Sequence, residues 1–127
     1  INYILNMGVS FKELRVWQKG NKLLLQIYEL TADFPKEEKF SLTQQLRRAA
    51  NSIIANIAEC HGRFHFKDKI RVLYIARGEL EETRSHLLVS FQLNYVSEEV
   101  YQELEKEYAG LLIGINEFIL NYKKRIN

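Results

Sequence analysis

Few residues in this chain have types and spacings that could do chemistry. Cys60, His61 and His65 lie close together, and a thiol with two imidazoles is the start of a zinc site. A structural zinc site needs a fourth ligand and a regular arrangement; neither is present, so no metal is expected. Cys60 and His61 are adjacent, and adjacent helix residues do not face each other, which argues against a thiolate–imidazole nucleophile. Glu82 and His86 stand four residues apart. A carboxylate-bridged diiron bundle needs two Glu-x-x-His motifs and the chain has none, so this pair reads as solvated surface. No glycine-rich phosphate loop occurs. The expectation is a protein that is not an enzyme and carries no cofactor.

The basic residues are more suggestive. Arg47 and Arg48 are neighbours, while Arg63, Lys67, Lys69 and Arg71 surround one short connection together with His61 and His65. These six cations are the candidate phosphate neutralisers. Lys123, Lys124 and Arg125 add a further basic group near the end of the sequence. Phe64 and Phe66 alternate with the cations, an arrangement that can stack unpaired bases. Bundle ends also need covering, and that is the preferred reading of both rings.

Helical elements must position these groups. Ser41–Arg63 carries Leu42, Leu46, Ala49, Ala50, Ile53, Ile54, Ile57 and Ala58, an uninterrupted helical stripe. Ser41 and Gln44 fit a capping box, and Gly62 fits the left-handed residue beyond its end. Asn56 and Glu59 border the stripe. A first helix is predicted over 11–32, opened by a Ser10–Glu13 capping box, with Leu14, Trp17, Leu24, Ile27 and Tyr28 as its core face. Val16, Leu23, Leu25 and Leu30 widen that face beyond the roughly 100° a bundle helix needs. The excess means either deeper burial or contact with another copy, and Val16, Leu23 and Leu30 are the candidate oligomer contacts. Gly20 costs about 1 kcal/mol relative to alanine unless something packs against it.

Pro35 ends the first helix, and Phe34 and Phe40 should fold back onto the bundle end. A third helix is predicted over 66–94, its stripe Ile70, Leu73, Tyr74, Leu80, Leu87, Leu88 and Phe91. Arg77 and Arg84 border it, with Glu81 beside them. Such arginines are either solvated or paired across a polar layer; the expected structural cluster joins Asn56 and Glu59 to Arg77, Glu81 and Arg84. A fourth helix is predicted over 98–124, with Ser97 as its N-cap. Gly110 and Gly114 mark a close helix crossing. The fold class is all-α, an antiparallel up-down-up-down four-helix bundle over residues 10–127. Residues 1–9 are expected to be disordered or upstream sequence.

The 127 residues suffice for one core. A composition of 46% hydrophobic and 27% charged residues is that of a soluble globular protein, and a single cysteine suits the cytoplasm. No apolar run approaches the ~20 residues of a membrane span. A net charge of +2 means that any basic surface must come from clustering.

Three segments together, LRVWQK from Leu14, FPKEEKFSLTQQLRRAANSIIANIAE from Phe34 and LYIARGELEET from Leu73, resemble the four-helix bundle proteins of the 23S ribosomal RNA intervening-sequence family. The chain departs from the family at Cys60-His61-Gly62, where glycine usually follows the glutamate directly, and at Ile54-Ala55, where a proline is often found. The resemblance implies a bacterial protein, often encoded within an insertion in a ribosomal RNA gene, and a homopentameric ring. A related branch accompanies the reverse transcriptases of diversity-generating retroelements and binds nucleic acid. Two functions are therefore expected to compete: an RNA- or DNA-binding accessory protein, and a scaffold that docks a nucleic-acid enzyme without affinity of its own.

Overall fold

The computed structural model describes residues 9–126. Among them run four α-helices: α1 Arg15–Thr31, α2 Leu42–Gly62, α3 Phe66–Gln92 and α4 Glu98–Lys124. No strand occurs among the described residues. Each helix packs against its chain neighbours, most extensively α2 against α3, and α4 closes back onto α1. The result is the expected antiparallel four-helix bundle. Of the amino-terminal segment set apart in the sequence, residues 1–8 lie outside the described residues; Val9 is described, and its carbonyl meets His61 Nε2.

The core is built by side chains at helical spacing. Ile27, Leu46, Ile53, Ile57, Leu73, Leu80, Leu87, Tyr108, Leu111 and Ile115 are essentially sealed from solvent. Full burial of each contributes roughly 1.5–3 kcal/mol against the entropy of ordering the chain.

Helix α1 sits rotated from its predicted face. Its buried residues are Val16, Gly20, Leu23, Leu24, Ile27 and Thr31, whereas Tyr28 is exposed. Gly20 explains the rotation. It lies on the buried face, and a Cβ there would stand 2.5 Å from Ile54 Cγ2, so the missing side chain lets α1 settle onto α2. Val16 and Leu23 are thus core residues and cannot be contacts with another copy, and Leu30 packs half-buried against the same core. On α3, Tyr74 and Leu88 also leave the predicted stripe for the surface. Gly110 and Gly114 do mark a close crossing: a Cβ would stand 2.6 Å from Lys19 Nζ at the first and 2.9 Å from Val16 Cγ1 at the second.

The helix ends differ from the capping boxes read in the sequence. Ser10 caps a separate 3-10 turn, Phe11–Glu13, by accepting from the Lys12 N–H, and α1 begins after it. The Ser41–Gln44 box is not formed. Ser41 instead donates to Glu38 Oε1 at 2.7 Å, and Tyr95 donates to the other carboxylate oxygen at 2.8 Å. These two bonds hold the Glu38 carboxyl below its usual range and join the first connection to the third. Gly62 stays within α2. The left-handed residue is Asn94, with φ 64°, in the turn after α3; asparagine tolerates that conformation. Ser97 caps α4 as expected, accepting from the Val100 N–H.

Candidate nucleic-acid interface

The six candidate cations do not form one patch. Arg47 donates from Nε to Thr31 Oγ1 at 2.7 Å and lies over the Tyr28 ring at 4.4 Å, fastening α2 to the last turn of α1. Arg48 pairs with Glu79 at 3.0 Å and with Glu82, bridging α2 to α3. Both arginines lie fifteen or sixteen residues from Arg63 along α2, about 22 Å at helical rise.

Lys69 is only 9% exposed. Its ammonium donates to the carbonyls of Cys60 at 3.0 Å and His61 at 3.2 Å. It therefore caps the carboxyl end of α2, where orphan carbonyls and the helix dipole favour a cation. This is why Gly62 need not turn left-handed, and why Lys69 does not act as a phosphate contact. Burial pushes the Lys69 ammonium pKa down, with Cys60 opposing, while burial pushes the Cys60 thiol up to about 11. A thiol so held is a poor nucleophile.

Arg63, Lys67 and Arg71 do cluster at the surface of the α2–α3 connection. Glu59 holds Arg63 at 2.6 Å. Lys67 and Arg71 make no ion pair among the described residues. The fold brings more cations to this end than the sequence reading assigned. Alternating helices place the start of α1, the α2–α3 turn and the end of α4 side by side, so Lys12, Arg15, Lys123, Lys124 and Arg125 join them. Arg125 lies over Phe66 at 5.8 Å, and Phe66 stacks on Tyr122 at 5.7 Å, which fixes the end of α4 against the start of α3. Lys12 and Arg15 are distant in sequence from the α2–α3 connection; only the parity of the helices could have assigned them to this end.

The charge of the whole bundle follows the same division. Cut each helix at its midpoint, and the half containing the α2–α3 turn holds twelve of the 18 Lys and Arg residues but four of the 16 Asp and Glu. The opposite half holds six cations and eleven carboxylates, with Glu79 at the divide. A chain of net charge +2 is thus a strongly polarised object.

The expected polar layer between α2 and α3 is not formed. Glu59 faces outward and pairs with Arg63, and Asn56 donates to the Ser52 carbonyl at 2.8 Å. Arg77 donates to Asn116 at 3.0 Å, and Arg84 pairs with Glu105 at 2.5 Å and Glu81 at 2.9 Å. Both arginines, seven residues apart, thus point to α4. Antiparallel packing also keeps Glu59 away from Arg84, since Glu59 is about 5 Å from the basic end of its helix and Arg84 about 27 Å along α3. Among the described residues no three His, Cys, Asp or Glu side chains converge as a metal site would require. Glu82 is bound by Arg48 and His86 instead. No helix among the described residues is long and apolar enough to cross a membrane.

The model of the 23S rRNA-intervening sequence protein family matches residues 12–116. The chain belongs to this family. The fold has a counterpart in a crystal structure of a protein of unknown function from the S23 ribosomal protein family of Bacteroides thetaiotaomicron. That protein is 27% identical, with a TM-score of 0.76 over 82% of this chain and 94% of its own. No curated protein matches the chain significantly. The LRVWQK, QLRRAA and IARG segments lie within the matched span. In the bundle, QLRRAA supplies the two arginines that lock α2 to its neighbours, and IARG supplies Arg77, which contacts α4.

Proposed function

We propose that this protein is a non-catalytic nucleic-acid-binding accessory protein that grips the phosphates of RNA with the basic end of its bundle. The segregation of charge carries this reading. Cations from three separate stretches meet at one end with few carboxylates among them, and such clusters bind polyanions by releasing condensed counterions. Arg63, Lys67, Arg71 and the Lys12–Arg15 and Lys123–Arg125 groups act as phosphate neutralisers. The family's description, which names the 23S rRNA intervening sequence, is consistent with an RNA ligand.

A homo-oligomer, five copies in a ring as the resemblance suggests, would multiply one modest end through many weak contacts. Its contact surface would use the exposed apolar residues Leu25, Ile113 and Leu120. The reading includes a cytoplasmic location.

The test is RNA and DNA affinity by fluorescence anisotropy across a potassium chloride series. Log K should fall linearly with log salt, by about 0.9 per phosphate neutralised on a duplex. The Arg63→Glu, Lys67→Glu, Arg71→Glu variant should abolish binding, while Lys36→Glu, Lys39→Glu at the opposite end should not. A second reading, a scaffold that docks a nucleic-acid enzyme, draws on Phe40, an exposed ring at the acidic end. Absence of wild-type binding at low salt would favour it.

A further inference from the structure

Phe64 stands at the tip of the α2–α3 turn and is 74% exposed. Bundle-end covering, the role expected for both phenylalanines, is carried out by Phe66, which is partly buried and stacked on Tyr122. Phe64 does not share it. Among the described residues its one ring neighbour is His65, edge-on at 5.1 Å and itself exposed. The backbone explains why the ring projects. Arg63 and His65 are both extended, so the short link between α2 and α3 leaves the bundle and returns. Leaving a phenylalanine in water forgoes roughly 1.5–3 kcal/mol of burial, a cost that a bound partner would offset.

The surroundings say which partner. Arg63, Lys67 and Arg71 flank the ring in sequence, and Asp68 is the one carboxylate on the first turn of α3. A flat π-face beside phosphate-binding cations matches a nucleotide whose base is not paired, because a duplex keeps its base faces covered. An apolar protein surface would satisfy the ring but not the cations. We infer that Phe64 is a stacking platform for an unpaired base, and that the basic end prefers single-stranded over double-stranded nucleic acid. The inference rests on the basic-end reading above and specifies the ligand class of that end. The cations place the backbone; the ring takes a base of any identity, since every base has a π-face.

The experiment compares a 12-nucleotide unstructured RNA, its DNA counterpart and an RNA duplex of the same length, by anisotropy at fixed low salt. Wild-type protein should bind both single strands more tightly than the duplex. Phe64→Ala should weaken single-strand binding by roughly 5- to 150-fold, leave duplex binding in place, and leave the slope of log K against log salt unchanged. Phe64→Tyr should restore the affinity, and Phe64→Leu, apolar but not aromatic, should not. Phe40→Ala is the control: that ring is 80% exposed but lies at the acidic end, and its loss should change nothing. Equal affinity of wild type and Phe64→Ala for single strands would overturn the platform while leaving phosphate binding intact. Rescue by leucine would overturn stacking in the same way. Sedimentation of Phe64→Ala at a lower mass than wild type would show that a second copy covers the ring, and would also overturn it. No binding of any of the three ligands by wild type would overturn the basic-end reading itself.

Discussion

At the residue scale, side chains of one type separate into different roles according to what their backbone neighbours leave unsatisfied. Lys67 and Lys69 are two positions apart. Lys69 points onto the end of α2 and meets two orphan carbonyls; Lys67 points to solvent. Replacing Lys69 by Met should therefore lower stability by about 1–3 kcal/mol in urea titration and leave the salt slope of RNA binding unaltered. Lys67→Met should do the reverse, with no change in the urea midpoint and a slope shallower by about 0.7 on a single strand. The sequence could not divide them, because both lie within a turn of the connection and only the path of α2 decides which one is captured. Arg47 and Arg48 mislead similarly. An exposed-looking pair in sequence is divided between α1 and α3 once α2 sits between those helices. Tyr108 marks the opposite situation. It is 1% exposed, burial pushes its phenol pKa upward, and its hydroxyl has no partner among the described residues. Tyr108→Phe removes an unpaired buried hydroxyl without leaving a cavity, and should raise the melting temperature by roughly 4 °C, about 1 kcal/mol.

At the element scale, four helices and their short connections were legible, because a 3.6-residue period sustained over twenty or more residues leaves few alternatives. Helix ends were less so. Capping boxes compete with tertiary partners, and Ser41 is taken by Glu38, which Tyr95 also holds from the third connection. The face of α1 is not legible because its apolar residues cover too wide an arc, and the residue that decides the rotation is a glycine with no hydropathy to read. Two glycines test this account. Gly20→Ala gains about 1 kcal/mol of helix propensity but presses a methyl against Ile54, and should destabilise by about 1–2 kcal/mol net. Gly78→Ala, on the open surface of α3 with nothing within 4 Å, should stabilise by about 0.5–1 kcal/mol. Thermal unfolding of the two variants checks the opposite signs.

At the scale of the whole molecule, the feature the sequence concealed is the polarity of the bundle. The cations are scattered along the chain, and a net charge of +2 averages them away. Only folding an even number of alternating helices gathers them. The proposed phosphate site was legible for Arg63, Lys67 and Arg71, which share one connection, and not for Lys12 and Arg15, which reach it from the far end of the sequence. One consequence is mechanical. Charges of opposite sign at the two ends of a bundle whose longest helices, α3 and α4, run about 40 Å form a permanent electric dipole along the bundle axis. A polyanion's field then exerts a torque as well as an attraction. The free molecule turns basic end first before it arrives, and it aligns within about one Debye length, ~8 Å at physiological ionic strength. In a pulsed electric field the protein should align along its own axis, with a birefringence that decays at its rotational rate and weakens in the charge-reversed Arg63→Glu, Lys67→Glu, Arg71→Glu variant, whose two ends differ less strongly. Phe64, at the leading tip, would then meet an approaching strand before the stacked rings of Phe66 and Tyr122 do.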